Sequence, residues 1–543
     1  MRNSYVFLKA RNGETIPAIV LPSGDTQPLH SMVDPVREAE RLISTISGDT
    51  GFLIFLGLGG GFAPQAALNK TAAKILVIDF FSESITELLS SKDYSTLLEN
   101  DRFTLLTDPS LDEIKNFITE NYKPSLCGGI KTLPLRTRTE LDLPLFEAAA
   151  ETIQEAIENV SSDYSVQAHF GMRWFSNIIR NIKSADTHSD SFRRKKQQNT
   201  IKEYFSRSGG KAAIVAAGPS LDQQIHSLSK CKSEHVFIIS SDTALPVLLH
   251  HGIEPDAVLS MDCQHISYYH FLGVNKRSIP LILDIASPPL LSGFSKLPLF
   301  FSSGHPLAQY VSSVWRPFFR LDTSGGNVTY ACLSFAESLG FGQITIFGAD
   351  FAYIDSKTYA KGTYIYPFFE KKQNRFSPAE ALSSAFLYKI PFLPAEKTDE
   401  SAQKKYHETS SLRFYRKKLE EKISVMTAEV NCAPGSGAPI RWQKKMPHGA
   451  SAAFQDFFAD KKMEKSGVSF LEQYRNDIAA LPPAAGKNYR HELSAKDKQI
   501  FTTILPYAAA IKHREPALKT NDLIEDTKLR CIKDIDRVLD DKC

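Results

Sequence analysis

The chain has 543 residues, of which 42% are hydrophobic and 23% are charged, a composition that is ordinary for globular proteins and excludes a largely disordered chain. This length predicts about three domains, each large enough to bury a core of its own. The formal net charge of +3 gives no overall field that would favour nucleic acid or a membrane as a partner, so neither is expected.

Cysteine and histidine usage narrows the class further. The seven cysteines are scattered and include no Cys-x-x-Cys pair, and the 14 histidines include no His-Glu-x-x-His motif. These patterns are typical of a reducing compartment and argue against a disulfide framework, a structural zinc site or a zinc hydrolase. Neither a signal-peptide pattern nor an apolar run of membrane-spanning length is present. The sequence therefore predicts a cytoplasmic protein.

The first region, residues 1–165, has the pattern of a Rossmann-type βαβ unit. An apolar run at 52–56 predicts a strand, the glycines of 57–61 a turn, and 74–79 a second strand that ends in Asp79. An acid at this distance from the glycines is the type that meets a ribose hydroxyl. Phe62 interrupts the G-x-G-x-x-G spacing, which favours a scaffold or recognition role over a bound nucleotide or S-adenosylmethionine-like ligand. A helical stretch follows this unit and bridges it to the next region.

A loop at Gly218-Pro219-Ser220 is the clearest ligand signal of the central region, 166–445. It follows an apolar run that predicts a buried strand. Glycine lets the backbone approach a ligand, proline suits the first turn of a helix, and free N–H groups of that turn would bind an anion. The loop therefore predicts a phosphate site, although Gly-Pro-Ser is also a common turn.

Acidic residues end the strands that follow. Strands predicted at 236–240, 257–260 and 281–283 lead to Asp242, Asp262 and Asp284. Ligands of open parallel sheets bind at the carboxyl ends of the strands, so these acids are candidates for one site. Each acid taken alone also suits a helix N-cap.

A second glycine loop, at 322–327, opens another predicted helix, and a strand at 343–347 leads to Asp350 and Tyr353. Residues 355–412 are aromatic and basic, which predicts either a substrate-covering loop or a surface insertion. The last region, 446–543, is helical and charged and holds no convergent catalytic set. We interpret it as a packing or partner-binding domain.

The order of these motifs resembles the motility accessory factor (Maf) glycosyltransferases, whose central domain is MptE-like and takes its name from an archaeal 6-hydroxymethylpterin pyrophosphokinase. The resemblance runs from Ala212 to Ala438 and rests on Gly218-Pro219-Ser220-Leu221-Asp222, Ser241-Asp242-Thr243-Ala244, Gly252-Ile253-Glu254-Pro255-Asp256, Ser260-Met261-Asp262, Gly325-Gly326-Asn327-Val328 and Gly348-Ala349-Asp350-Phe351-Ala352-Tyr353. It implies an α/β fold with Rossmann-like parallel sheets in two domains, 1–165 and 166–445, and a helical domain at 446–543.

The resemblance also implies an activity. It is the transfer of a nonulosonic acid, such as pseudaminic or legionaminic acid, from its CMP-activated form to Ser or Thr of flagellin, needed for flagellar assembly and motility, without a metal or other cofactor. Asp262 and Asp350 are candidates for orienting or deprotonating the acceptor, and His305 is a further one. The residues expected to bind the CMP-sugar are Gly218, Pro219, Ser220, Asp242, Thr243, Thr323, Gly325, Gly326, Asn327 and Tyr353.

Two positions depart from the relatives, and two other functions stay open. Bacterial sialyltransferases have Asn where this chain has Ala217, and many relatives have Ser in place of Asn327. One alternative is a pyrophosphokinase that uses ATP and Mg²⁺, with Asp242 and Asp262 as metal ligands. The other is a non-catalytic flagellin-binding protein.

Overall fold

The computed structural model describes residues 5–21, 23–90, 93–187, 208–274, 278–296, 298–393, 406–445, 465–484 and 489–541. The chain forms two compact units. The first comprises Met1–Met172, Leu481–Phe501 and Leu505–Arg530, and the second comprises Arg173–Ala480, Thr502–Ile504 and Cys531–Cys543. The segment predicted as a helical domain at 446–543 therefore contributes to both units, and its part at 446–464 lies outside the described residues. The boundaries at 165 and 445 stay a prediction.

The first unit contains two sheets. Strands β1 (Tyr5–Lys9), β2 (Thr15–Val20) and β3 (Thr26–Pro28) form an antiparallel sheet. Strands β4 (Thr50–Leu56), β5 (Lys74–Asp79), β6 (Phe103–Thr107) and β7 (Gly129–Pro134) form a parallel sheet in the order β6-β5-β4-β7. The middle strands are buried over nearly their whole length, because parallel sheets carry helices on both faces. The predicted Rossmann-type unit is confirmed.

The second unit is built on an eight-stranded parallel sheet in the order β13-β12-β11-β10-β9-β8-β14-β17. Its members are β8 (Lys211–Val215), β9 (Phe237–Ser241), β10 (Ala257–Ser260), β11 (Leu281–Asp284), β12 (Pro298–Ser302), β13 (Phe319–Arg320), β14 (Gln343–Phe347) and β17 (Glu429–Cys432). A short antiparallel pair, β15 (Tyr353–Ile354) and β16 (Tyr406–His407), lies outside this sheet. The predicted α/β class with parallel sheets in two domains is confirmed.

Helices connect the strands in both units. They are α1 Pro35–Ser44, α2 Phe62–Lys70, α3 Ser82–Ser90, α4 Ser95–Leu98, α5 Leu111–Asn121, α6 Pro124–Cys127, α7 Arg136–Thr139, α8 Leu143–Thr187, α9 Leu221–Ser233, α10 Leu245–His250, α11 Pro306–Val314, α12 Val328–Ser338, α13 Ile365–Lys372, α14 Ala379–Leu387, α15 Ser410–Val425, α16 Gly467–Ala479, α17 Tyr489–Glu492, α18 Ala495–Arg514 and α19 Thr520–Asp540. Short 3₁₀ turns occur at Glu140–Asp142, Asp242–Ala244, His265–Phe271 and Pro289–Phe294. No helix in the described ranges is long and apolar enough to cross a membrane.

The order of the large sheet determines where a ligand is expected. From β8 the chain adds β9 to β13 on one side, and then places β14 and β17 on the other side. The connections leaving β8 and β14 thus run in opposite directions, which opens a crevice at the carboxyl ends of these two strands. Fully buried Ile214, Ile239 and Ile282 pack below this edge against helix α12.

Candidate functional site

The Gly-Pro-Ser loop follows β8 and contacts the chain that leaves β14. The Gly218 N–H donates to the Gly348 carbonyl over 2.8 Å, and the Ser220 N–H donates to Asp350 Oδ2 over 2.8 Å. A Cβ at position 218 would lie 2.4 Å from Asp350 Oδ2, so only glycine fits here. The two predicted motifs are therefore brought together at the crevice.

A third loop, which follows β17, closes over the first two. The Ser436 N–H donates to Ser220 Oγ over 2.9 Å, and the Ala438 N–H donates to the Asp350 carbonyl over 2.9 Å. Ser220 and Asp350 are consequently only 3% and 5% exposed. We call Gly218, Ser220, Asp350 and Ser436 the loop junction.

The loop junction corrects the expectation that free N–H groups of the Gly-Pro-Ser turn bind an anion. The Ser220 N–H donates to Asp350, and the next three N–H groups donate to the carbonyls of residues 218, 219 and 220. The Asp350 carboxylate itself takes the place that a ligand anion was expected to occupy. Burial raises the pKa of Asp350, and its hydrogen bonds with Ser220 and Gly437 oppose that rise. The predicted catalytic role of Asp350 stays a prediction, because these bonds also explain its position.

Asp242 and Asp262 lie at the ends of neighbouring strands but differ in their surroundings. Asp242 is 1% exposed; its Oδ1 accepts from the Thr243 N–H over 2.7 Å and its Oδ2 from Ser260 Oγ over 2.6 Å. Asp262 is half-buried and accepts from the Gln264 N–H over 2.9 Å. Burial raises the pKa of Asp262, and the Asp242 charge adds to that rise. Asp262 is thus the more exposed acid of this pair.

Three tyrosines lie within electrostatic reach of these acids. Burial raises the pKa of Tyr364 to about 12, with Asp242 and Asp262 adding to it, and the same two acids act on Tyr359. Burial and then Asp262 raise the pKa of Tyr415. The tyrosine hydroxyls therefore stay protonated at neutral pH and are hydrogen-bond donors.

His270 completes this group of side chains. Its ring meets Tyr364 edge-on at 4.6 Å, and its Nε2 lies 3.5 Å from Thr243 Oγ1. Its Nδ1 is buried and has no hydrogen-bond partner in the described part of the chain. We call Asp242, Asp262, His270, Tyr359, Tyr364 and Tyr415 the aspartate–tyrosine cluster.

The segment carrying Tyr359 and Tyr364 is tied to the Gly-Pro-Ser loop. The Ala360 N–H donates to the Ala217 carbonyl over 2.9 Å, and the Lys361 N–H donates to Asp222 Oδ1 over 2.9 Å. Tyr353 raises the pKa of Tyr359 and so lies near the same cluster. The aromatic and basic segment therefore contributes side chains to the strand-end region.

The second glycine loop reaches the cluster at one point. A Cβ at Gly326 would lie 3.1 Å from the Tyr415 ring, and Thr323 is half-buried nearby in the chain. Asn327 caps helix α12 by accepting from the Tyr330 N–H over 3.0 Å, while Gly325 leaves room for the Tyr330 ring. Of this loop, Gly326 is thus the exposed position that contacts the cluster.

His305 and Asp284 have partners of their own. His305 Nδ1 caps helix α11 by accepting from the Leu307 N–H over 3.2 Å, and its ring packs on Trp174. Burial lowers the pKa of His305 to about 3, which keeps the ring neutral. Asp284 accepts from the Ala286 N–H over 2.9 Å, and burial raises its pKa to about 6. The helix cap explains His305 without chemistry, and its catalytic role stays a prediction.

In the first unit, the glycine-rich turn after β4 is filled by protein side chains. Asp79 is fully buried and pairs with Arg138 over 2.9 Å, and the N–H groups of Leu58 and Phe80 donate to its two oxygens over 2.8 Å. The Gly60 N–H donates to His30 Nε2 over 2.7 Å. Because Asp79 is enclosed in this way, the geometry favours the scaffold role over ribose binding.

A divalent metal has limited support at the strand ends. Among the described residues, no group of three or more His, Cys, Asp or Glu side chains is placed to hold a metal ion. Asp242, one of the two alternative ligands, uses both oxygens on protein donors, which leaves Asp262 as the carboxylate open to a metal–phosphate complex. That the reaction needs no metal stays a prediction.

Several cluster residues were not singled out as site residues from the sequence. Tyr359 and Tyr364 belong to the aromatic and basic segment 355–412, which was predicted to cover a substrate or to form a surface insertion. Their position only a few residues after Asp350 could have indicated that they lie near the strand ends. His270 stands in the run Tyr268-Tyr269-His270, which carries no motif. Ser436 reaches the site only because β17 lies beside β14.

Comparisons with known proteins agree with this architecture. Residues 176–356 match the family described as 6-hydroxymethylpterin diphosphokinase MptE-like. An uncharacterized protein of Treponema pallidum (strain Nichols) is 42% identical over 120 residues, 21% of this chain and 41% of that protein. Another uncharacterized protein of this organism is 32% identical over 179 residues, 33% of this chain and 80% of that protein. The chain thus spans less than half of the first relative and most of the second.

A solved structure extends the likeness to the whole chain. The MAf glycosyltransferase from Magnetospirillum magneticum AMB-1 superposes with a TM-score of 0.54 and 14% identity, covering 99% of this chain and 92% of that one. At this identity the likeness concerns the fold. The chain belongs to the family of MptE-like domain proteins that share the fold of the Maf glycosyltransferases, as the order of its motifs predicted.

Proposed function

We propose that this protein is a glycosyltransferase that moves a nonulosonic acid from its CMP-activated form to Ser or Thr of flagellin. The observation that carries the proposal is the half-buried Asp262 among protonated tyrosines at the strand ends of an MptE-like domain. The fold shared with a Maf glycosyltransferase supports it. Flagellin and the CMP-sugar are the proposed partners, and no metal or other cofactor is proposed.

In the proposed reaction Asp262 takes the proton of the acceptor hydroxyl. The acceptor oxygen then attacks the anomeric carbon of the sugar, and the bond from that carbon to the phosphate oxygen breaks, its electron pair leaving with CMP. A carboxylate whose pKa is raised is a stronger base, and therefore a better proton acceptor, than an ordinary one.

Charge on the departing CMP needs hydrogen-bond donors, since no metal is proposed. Tyr359 and Tyr364 remain protonated and are proposed to donate to the phosphate. The chain at Gly218, Pro219 and Ser220 holds Asp350 and aligns the tyrosine segment through the Ala217 carbonyl. Thr243, Thr323 and Gly326 are the proposed contacts to the sugar and cytidine.

The test is a transfer assay with purified protein, flagellin and CMP-pseudaminic or CMP-legionaminic acid, read by the intact mass of flagellin. Asp262→Asn is expected to lower kcat about 100-fold or more, as loss of a general base does. Asp284→Asn is the matched control, because Asp284 ends the neighbouring strand and also accepts a backbone N–H. Equal rates for the two variants would contradict the assignment of Asp262.

A pyrophosphokinase is the second candidate function. It is supported by the match of residues 176–356 to the 6-hydroxymethylpterin diphosphokinase MptE-like family. In that case Asp262 would hold Mg²⁺ together with the phosphates of ATP, and the metal would neutralise charge on the transferred group. The two functions separate on metal dependence: the transferase is expected to work in EDTA, whereas the kinase requires Mg²⁺ and releases AMP. A non-catalytic flagellin-binding protein would bind flagellin and transfer no sugar under either condition.

A further inference from the structure

A large cavity lies in the first unit, at the amino ends of the strands of its parallel sheet. It has a volume of about 1370 Å³ and is lined by Thr50, Gly51 and Lys74, at the amino ends of β4 and β5. Its other wall comes from Arg490 in α17 and from the chain at 516–522. The glycine-rich turn stands at the opposite, carboxyl end of β4.

The lining of this cavity is strongly basic. Only two carboxylates line it, those of Asp49 and Asp522. Its six cationic side chains are those of Lys70, Lys74, Lys123, Arg490, Lys512 and Lys519. The chain as a whole has nearly balanced charge, so this excess is local.

Three of the cations converge on one place. Lys74, Lys123 and Arg490 all act electrostatically on the Cys127 thiol, which also lines the cavity. Burial lowers the pKa of each lysine, and the Arg490 charge lowers both further. Like charges are thus held together in partly buried positions, which costs free energy unless an anion compensates.

The described residues compensate these positive charges only in part. Lys123 Nζ donates to the Thr119 carbonyl over 2.7 Å, and an Nη1 of Arg490 donates to the Glu120 carbonyl over 2.5 Å. Carboxylates offset part of the effect of burial: Asp101 acts on Lys74, Asp163 and Glu120 act on Lys123, and Glu120 acts on Arg490, yet burial remains the larger effect and the pKa of each cation stays lowered. The Nε of Arg490 is a buried donor without an acceptor in the same ranges. These donors fit a ligand that carries more than one negative charge.

We propose that this cavity binds a small phosphate ester of nucleotide size, with its phosphate among Lys74, Lys123 and Arg490. A phosphate ester carries nearly two negative charges and several acceptor oxygens, and a guanidinium binds it through paired N–H groups. Ligand pockets usually measure about 300–1,000 Å³, so the cavity has room for an organic group beside the phosphate. The site is separate from the aspartate–tyrosine cluster and does not depend on the proposed transferase reaction.

Protection of Cys127 tests the site in the intact protein. Alkylation by iodoacetamide is followed by peptide mass at Cys127 and at the partly exposed Cys231 of the second unit, which serves as the internal control. Pyrophosphate and AMP are expected to slow alkylation at Cys127 and leave Cys231 unchanged. No protection of Cys127 by either probe would overturn the site. If inorganic phosphate protected Cys127 as well as AMP does at the same concentration, the proposal that the ligand carries an organic group would be overturned.

Calorimetry with pyrophosphate then tests the residues. The double variant Lys74→Met/Arg490→Met is expected to bind at least about tenfold more weakly, which corresponds to about 1.4 kcal/mol. Lys115→Met is the control, since Lys115 is exposed on α5 and does not line the cavity. Because the double variant relieves repulsion between like charges, its unfolding temperature without ligand is not expected to fall. Unchanged affinity in the folded double variant would refute the proposed phosphate position.

Discussion

Replacing Gly218 with alanine would place a methyl group inside the loop junction. The new Cβ would lie 2.4 Å from Asp350 Oδ2 and 2.5 Å from the Gly348 carbonyl oxygen, distances that real Cβ atoms do not adopt. One of these atoms is backbone, so Asp350 must move and its bond with the Ser220 N–H is lost. Overpacking costs about 1–3 kcal/mol and a hydrogen bond to a charged group about 1.5–3, so the second unit should lose about 3–5 kcal/mol.

Tryptophan fluorescence isolates the affected unit. The three tryptophans, Trp174, Trp315 and Trp442, all belong to the second unit, so urea unfolding followed by their emission reports that unit. Gly304→Ala is the matched control, because a Cβ at Gly304 meets no atom within 4 Å and the residue also follows a strand of the same sheet. Its midpoint should stay near that of the wild type, whereas that of Gly218→Ala should fall by about 1 M urea or more. Coinciding midpoints for the two variants would refute the close contact.

Three further predictions follow from buried charges and donors. Arg138→Met leaves the fully buried Asp79 without its ion pair and should cost about 3–5 kcal/mol by thermal circular dichroism. Asp79→Asn in the same chain should restore part of this loss, because it removes the unpaired charge and keeps an oxygen that accepts a backbone N–H; an unchanged melting temperature for the single variant would contradict the pairing. The folded Asp284 has a pKa of about 6, above its ordinary value of about 3.9, so the folded state holds the proton more tightly and stability should fall as pH rises from 4 to 7, on the order of 3 kcal/mol. The urea midpoint of Asp284→Asn should therefore change less between pH 4 and pH 7 than that of the wild type. An identical pH dependence for the two proteins would contradict the raised pKa of Asp284. Tyr364→Phe should lower kcat of transfer about 100-fold, whereas Tyr388→Phe, at an exposed ring, should not; equal values would remove Tyr364 from the reaction.

The sequence was sufficient to predict β4 and β5 of the first unit and β8 to β11 and β14 of the second, whereas β6, β7, β12 and β13 were not predicted. The runs at 52–56, 74–79 and 236–240 each hold a short, continuous apolar stretch, and each coincides with a largely buried strand in the structure. Such runs are diagnostic because a parallel sheet buries both faces of its strands. The predicted site acids also follow these strands, since sheet geometry places all carboxyl ends at one edge.

Contacts between segments that are far apart in the sequence could not be predicted from the sequence. Ser220 meets Asp350 across 130 positions and Ser436 across 216, and both contacts depend on β14 and β17 lying beside β8. The argument from free N–H groups failed because it treated the Gly-Pro-Ser turn alone. The same reason applies to Asp79, whose partner Arg138 arrives from a helix beyond β7.

Helix capping accounts for other residues that the sequence placed in the site. His305 and Asn327 both stand at the start of a helix and accept a backbone N–H there. A polar residue before a helix suits capping and ligand binding equally well, so sequence alone cannot separate the two roles. Exposure separates them better, because the half-buried Asp262 has surface for a ligand where buried His305 has little.

The most direct measurement of the central claim is the mass of flagellin after incubation with the purified protein and CMP-pseudaminic or CMP-legionaminic acid in the presence of EDTA. The account predicts a mass increase of one nonulosonic acid per modified residue with wild-type protein, and loss of that increase with Asp262→Asn but not with Asp284→Asn. Unmodified flagellin with either donor, together with Mg²⁺-dependent release of AMP from ATP and 6-hydroxymethylpterin, would contradict it.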